Sequence, residues 1–254
     1  MVKPPKAINI ISELPNFCFE SITLYRNYHQ VIANAPSGNK EPIICIPGYG
    51  GSDFATFFIR KFLGDINYQP FTSDIGPLLD IGKKRMIDMH SAMKFRATMT
   101  EKLIRRIELL SQEFNQKITL IGWSMGGLLA YDAAVAIPDK VAQVITLGTP
   151  FGDVRGTSIY YLLKNFSKSN DISEDDFNLW TEKSCQIAKK VPIHIIYSQK
   201  DGVVSPAITN PQNNDSIIAM EVDSSHIGFV FNKFVFEKIA EILIAHADQR
   251  VQFH

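Results

Sequence analysis

From residue 42 onward, short apolar runs alternate with amphipathic stretches. The runs at 42–46, 68–73, 117–121, 143–147, 192–197 and 217–222 are mostly continuous in their apolar character. Continuous rather than alternating polarity predicts strands covered on both faces. Between them, 53–63, 92–114, 125–137 and 231–246 carry helical patterns, and Pro138 closes the third. Strand–helix alternation predicts right-handed crossovers and a mainly parallel sheet of about six strands flanked by helices. With no internal repeat or low-complexity tract, residues 1–254 read as a single α/β domain.

Two segments depart from this rhythm. Residues 14–33 place Phe17, Ile22, Tyr25, Tyr28 and Ile32 at roughly helical spacing, which makes 1–40 an N-terminal helical segment docked on the sheet. A β-hairpin through 22–31 is the competing reading. Residues 151–190 follow one strand and precede another, with amphipathic pieces at 157–166 and 174–189. Two readings stand for this insert: a lid over the strand ends whose Tyr161 and Trp180 line an acyl pocket, or a plain packing helix pair.

Composition narrows the function classes. The chain carries 26 Lys plus Arg against 26 Asp plus Glu, a formal charge of zero. No nucleic-acid partner is expected, because phosphate binding requires a basic field. The basic clusters Lys83-Lys84-Arg85 and Lys189-Lys190 are short and read as solvated faces. Three cysteines, Cys18, Cys45 and Cys185, form neither a disulfide framework nor a metal-ligand spacing. No secretory signal or bilayer-length apolar stretch is visible, so a cytoplasmic location is expected.

The chemistry concentrates in Ile118-Thr119-Leu120-Ile121-Gly122-Trp123-Ser124-Met125-Gly126-Gly127. An apolar strand enters Gly-x-Ser-x-Gly and a helix-forming stretch, 128–136, leaves it, which is the context of a nucleophile elbow. So tight a turn strains the serine and favours glycine two residues to either side. Serine needs a base, and the base needs an orienting acid. In elbows of this kind the parts follow the chain order serine, acid, histidine. Of six histidines, His29 and His90 precede Ser124. His194 lies within a strand, His246 in the last helix, and His254 at the terminus. His226, between the last strand and the last helix, is the expected base. Asp201, just beyond the strand at 192–197, is the expected acid, with Asp153 and Asp223 as rivals. The oxyanion donors are expected at the backbone N–H of Met125 and of Tyr49, with Gly50 as second choice, in the loop Ile46-Pro47-Gly48-Tyr49-Gly50-Gly51-Ser52.

With these motifs the chain resembles the α/β-hydrolase superfamily, closest to bacterial lipase/esterase-like serine hydrolases. The resemblance runs from residue 36 to 246. It rests on Pro47-Gly48-Tyr49, on Gly122 to Gly127, on Leu147-Gly148-Thr149-Pro150-Phe151-Gly152, and on the segments 196–204 and 225–228. It implies the α/β-hydrolase fold and Ser124, Asp201 and His226 as the triad. The segment 73–93 is longer than that family's loop after the second core strand.

The expected activity is therefore hydrolysis of carboxylic esters through an acyl-enzyme on Ser124, with no metal and no cofactor. The expected partner is a small acyl ester, lipid-like esters included, contacted by Trp123, Phe151 and Ile227. An acyltransferase or thioesterase using the same triad, and a non-catalytic binding protein on this scaffold, are the alternatives.

Overall fold

The computed structural model describes residues 2–78, 89–158, 160, 174–184, 191–209 and 217–252. Six strands form one parallel sheet: β1 (Pro42–Ile46), β2 (Gln69–Thr72), β3 (Ile118–Trp123), β4 (Val141–Leu147), β5 (Ile193–Tyr197) and β6 (Ile217–Glu221). They lie in the order β2-β1-β3-β4-β5-β6. The central registers pair Ile44 with Leu120 and Leu120 with Val144. β1, β3 and β4 are wholly buried but for Trp123, which is half-buried. That burial is why their sequences read as unbroken apolar runs.

Alternate residues of each strand point to opposite faces, so the sheet separates two apolar layers. On one face Ile44, Ile46, Leu120 and Val144 pack beneath α3 (Met89–Phe114), α4 (Met125–Ala136) and α5 (Glu174–Ser184). On the other, Ile43, Cys45, Ile121, Ile145 and Leu147 meet α2 (Phe57–Asp65) and α6 (Lys233–Gln252). Burial pushes the Cys45 thiol up to about 12, in keeping with a packing role. No helix among the described residues is long and apolar enough to cross a membrane.

The N-terminal segment is a helix, α1 (Ala7–Asn34), and not a hairpin. It starts well before residue 14 and runs through Pro15, a residue that suits a first turn and so hides the earlier turns from the pattern. Its main neighbours are α6 and the turn Gly228–Val230 rather than the strands. The span expected as one helix over 53–63 divides into a 3-10 turn, Asp53–Thr56, and α2.

The insert divides in a similar way. Its first amphipathic piece, 157–166, and Tyr161 fall largely or wholly outside the described residues, while α5 lies within them. The apolar side of α5 is already used: Phe177 and Trp180 are buried in the core beside α3 and α4. For α5 this is the packing reading, and Trp180 is a core residue rather than the wall of an open pocket.

A buried ion pair holds α5 there. Arg96 on α3 is fully buried and binds Asp132 of α4 with two bonds, Nε to Oδ2 at 2.7 Å and Nη2 to Oδ1 at 2.6 Å. Its Nη1 donates to Ser184 Oγ of α5 at 2.9 Å, and its guanidinium lies 4.8 Å from the Trp180 ring. Thr100 Oγ1 donates to the Arg96 carbonyl at 2.9 Å and lies 3.3 Å from Asp132 Oδ2. Removing one member leaves a buried charge without its main partner, since the nearest other cation to Asp132 Oδ2 is Lys183 Nζ at 4.0 Å, whereas removing both need not. Arg96→Met is therefore expected to lower unfolding stability by about 3–5 kcal/mol, and the double variant Arg96→Met/Asp132→Leu to recover most of it. Denaturant titration of the three proteins measures this, and equal losses in single and double variants would contradict it.

Candidate active site

The loops at the carboxyl ends of five parallel strands converge on one place. Ser124 sits between β3 and α4 with φ 54° and ψ −121°, a conformation that side chains with a Cβ rarely adopt. The surroundings hold it there. Its N–H donates to Leu147 O of β4 at 2.8 Å, and its carbonyl accepts from Thr149 Oγ1 at 3.0 Å. Gly122 and Gly126 allow the turn to close. A Cβ on Gly122 would strike the Gly126 carbonyl, and one on Gly126 would strike the carbonyls of Ile46 and Pro47. The elbow is thus wedged between β1 and β4, and Ser124 is 8% exposed.

The loop after β1 passes close by. A Cβ on Gly48 would come within 3.0 Å of Ser124 Cβ. That loop is braced from outside. Gly50 N–H donates to Leu78 O at 2.8 Å, and Leu78 N–H donates to Gly51 O at 2.9 Å. Asp53 Oδ1 accepts from the Ser73 N–H at 3.0 Å and from Ser73 Oγ at 2.6 Å, tying the loop to the end of β2. Tyr49 packs its ring edge-on to Phe95 at 6.5 Å. Met125 opens α4, so its N–H lies in the first turn, where no intrahelical acceptor exists.

Asp201 and His226 meet in the interior. His226 Nδ1 lies 2.8 Å from Asp201 Oδ2. The other oxygen, Oδ1, accepts from the N–H groups of Val203 and Val204, each at 2.7 Å. This orients the carboxylate and leaves Oδ2 for the imidazole. Both residues are buried. Burial alone would depress the histidine; the charge and hydrogen bond of Asp201, with a smaller push from Glu13, more than offset it. The His226 pKa therefore lies above its ordinary value of 6.5.

Trp123 brings this pair to the elbow. Its indole N–H donates to the His226 carbonyl at 3.0 Å, and the two rings lie 5.7 Å apart. Trp123, expected to touch substrate, thus also supports the histidine loop. Ile227 is half-buried, and its N–H points to Glu13 Oε2 at 3.3 Å. Phe151 differs from expectation. It is fully buried and packs edge-on against Tyr131 of α4 at 5.2 Å, because the chain after Gly148 turns back onto that helix. Its ring fills the core and presents no surface to a ligand.

The rival acids have other partners. Asp153 caps a 3-10 turn and accepts from Arg155 Nε at 2.7 Å, while exposed Asp223 pairs with Lys200 Nζ at 2.6 Å. His194 lies in β5, where burial and neighbouring His246 push its pKa down to about 4. His90 is exposed on the first turn of α3. Among the described residues no group of three or more His, Cys, Asp or Glu side chains could hold a metal ion.

Sequence reasoning missed Glu13 and Glu20 of α1. Glu13 Oε1 accepts from the Gly202 N–H at 2.7 Å and the His226 N–H at 2.9 Å. Glu20 accepts from the Ser225 N–H at 2.8 Å and from Ser225 Oγ at 2.7 Å. Their seven-residue spacing, two turns of one helical face, was the available signal.

Comparisons with known proteins agree with this architecture. A protein of Bacillus subtilis (strain 168) named as a 2-succinyl-6-hydroxy-2,4-cyclohexadiene-1-carboxylate synthase is 25% identical over 136 residues, covering 52% of this chain and 45% of that protein. The chain thus spans about half the length of the curated relative it matches. Among solved structures, TT1662 from Thermus thermophilus aligns with a TM-score of 0.62 at 11% identity, over 84% of this chain and 91% of that one. The mature lipase BlEst2 of Bacillus licheniformis gives 0.57 at 17%, over 83% and 94%. A soluble variant of Saccharomyces cerevisiae monoglyceride lipase, solved with a substrate analogue, gives 0.58 at 15%, over 84% and 89%. At these identities the likeness is one of fold, and the fold is that of the α/β-hydrolases. The family described as the PGAP1-like alpha/beta domain matches residues 80–219, more than half of the chain, and the chain belongs to that family.

Proposed function

We propose that this protein is a serine hydrolase of carboxylic esters, with Ser124 as nucleophile, His226 as proton carrier and Asp201 as its orienting acid. The observation that carries this reading is the Asp201–His226 hydrogen bond, 2.8 Å long, tied through Trp123 to a serine held at positive φ. A fold alone does not fix an activity; a strained serine whose neighbour Trp123 holds the loop of a paired histidine and aspartate supports one.

In this reading Ser124 Oγ attacks the ester carbonyl carbon while His226 Nε2 takes the hydroxyl proton. Asp201 accepts from Nδ1–H and stabilises the imidazolium. The N–H groups of Tyr49 and Met125 receive the oxyanion as it forms. His226 then protonates the departing alkoxide, releasing an alcohol and leaving an acyl group on Ser124. Water, deprotonated by His226, attacks that acyl group, and collapse releases the carboxylic acid and restores the serine.

An acyl ester with an apolar chain suits the surroundings. Phe54, Phe57 and Phe58, just beyond the oxyanion loop, are all exposed, and Phe54 stacks on Phe57 at 6.1 Å. Proteins that share the fold include those named as lipases, which supports the same substrate class.

Ser124→Ala is expected to retain the fold and lose esterase turnover by at least about a thousandfold. Near-normal turnover by the folded variant would remove Ser124 from the role. The pH profile follows from the charges. His226 must be neutral to accept the serine proton and its pKa is raised, so kcat/KM falls on acidification through a value above that of an ordinary histidine. Asp201→Asn takes away the charge that raises it. The acidic limb then moves to lower pH, and kcat drops by about 10,000-fold. An unshifted limb and unchanged kcat would point to a different acid.

Acyl length gives the third test. A buried methylene contributes about 0.8 kcal/mol, or roughly fourfold in kcat/KM. Nitrophenyl esters of increasing acyl length should therefore be hydrolysed better than acetate, and Phe54→Ser should flatten the trend. A strict acetate preference unaffected by Phe54→Ser would exclude the apolar-chain reading.

A further inference from the structure

The N-terminal helix α1 does more than pack against α6 and the turn Gly228–Val230. Among the described residues, the hydrogen bonds that α1 makes with the C-terminal half of the chain fall on the two loops that carry Asp201 and His226. Asn9 Nδ2 donates to Gln199 O at 2.7 Å, just before the acid. Glu13 takes the N–H of Gly202, the residue after the acid, and with the same oxygen takes the N–H of His226 itself. Its second oxygen faces the Ile227 N–H at 3.3 Å. Two turns later Glu20 grips Ser225 by both N–H and Oγ. These are contacts across some two hundred residues of sequence, made by carboxylates that lie largely out of water.

The glycines that follow the acid and the base fit this docking. A Cβ on Gly202 would lie 2.5 Å from the Asn9 carbonyl oxygen and 2.7 Å from Glu13 Cγ. A Cβ on Gly228 would collide with the Glu20 carboxylate. Both loops thus leave out side chains where α1 sits. A carboxylate that accepts several backbone N–H groups is held rigidly and makes charge-assisted bonds stronger than neutral ones. One oxygen shared by two N–H donors also fixes the distance between those donors.

We propose that Glu13 is a positioning residue of the catalytic centre: its carboxylate, delivered by α1, ties the acid loop at Gly202 to the base loop at His226 and so sets the Asp201–His226 geometry. The inference rests on the hydrolase reading above for its kinetic consequences, though not for its structural ones. Glu13 acts through backbone groups and does not touch the reacting atoms.

Glu13 also contributes charge. The charged groups that act on His226 are Asp201 from the loop after β5 and Glu13 from α1, while Glu20 of α1 and Asp223, paired with Lys200, neighbour each other beside the base loop. The pKa of Glu20 is itself raised, by burial above all and then by its neighbours Glu13 and Asp223, against the hydrogen bonds from Ser225. Lys200 offsets Asp223, and Asp201 and Glu13 are the carboxylates that favour the imidazolium.

Glu13→Gln and Glu13→Ala separate tether from charge. Glutamine keeps an oxygen for the Gly202 and His226 N–H groups and removes the charge; alanine removes both. For Glu13→Ala, kcat for a nitrophenyl ester is expected to fall about ten- to a hundredfold with KM nearly unchanged, the signature of a misplaced catalytic group. For Glu13→Gln, most of kcat should be retained. The His226 imidazole, followed by long-range proton–nitrogen NMR in the full chain, should then titrate at lower pH than in the wild type. A residue that merely supports the fold would lower the melting temperature and leave that titration where it was. The NMR readout needs no turnover: an inactive wild type would defeat the hydrolase reading while the titration still decides the role of Glu13. It also decides the matter if Glu13→Ala does not fold. Wild-type kcat in Glu13→Ala, or an unmoved His226 titration in Glu13→Gln, would overturn the proposal.

Discussion

The backbone of Ser124 is the constraint on which the site depends. A residue with a Cβ held at φ 54° costs about 1–3 kcal/mol, and it persists only where the surroundings over-determine it. Here they do. The Ser124 N–H is bonded to β4, its carbonyl is bonded to Thr149, and the glycines on either side are pressed against one another and against the carbonyls that end β1. The same close packing that closes the turn brings the loop after β1 to the serine. The turn at Ser124 and the loop after β1 are therefore set by one piece of packing, beside strands buried on both faces.

The second half of the site is polar and buried, which makes its satisfaction essential. Asp201 places one oxygen on two backbone N–H groups and the other on His226. The histidine loop is in turn held by Trp123 on one side and by Glu13 and Glu20 on the other. In a medium of low effective dielectric such bonds are strong, and an unpaired member would be costly. The loops after β5 and β6 are bonded to α1 as well as joined to their own strands. The opposite face of the sheet shows the same economy, with Arg96 and Asp132 joining three helices through one buried pair.

Much of this was legible in the sequence. β1 falls on 42–46 as read, and the other strands shift by two residues or fewer at each end; for β1, β3 and β4 the uninterrupted apolar runs leave little choice, since these strands are covered on both faces. Ser124, Asp201 and His226 could be picked out because each follows a strand in a short turn-forming segment, and the structure brings Asp201 and His226 into contact. What stayed hidden depends on tertiary contact. Phe151 reads as an aromatic in a loop beside the site, yet it turns inward onto Tyr131. Trp180 reads as one face of an amphipathic lid helix, yet that face is consumed by Arg96 and the core. Glu13 and Glu20 read as ordinary charges on a surface helix. Their seven-residue spacing marks one helical face, but their partners are backbone N–H groups in loops remote in sequence, which no local pattern identifies.

The central claim is that Ser124 is an activated nucleophile rather than a buried turn residue. Reaction of the full-length protein with a fluorophosphonate, followed by intact mass measurement and peptide mapping, tests it most directly. The account predicts one phosphonyl group per chain, located on Ser124, forming faster as pH rises through the His226 titration and absent after denaturation. An unmodified protein, or an adduct spread over other hydroxyl groups, would contradict it.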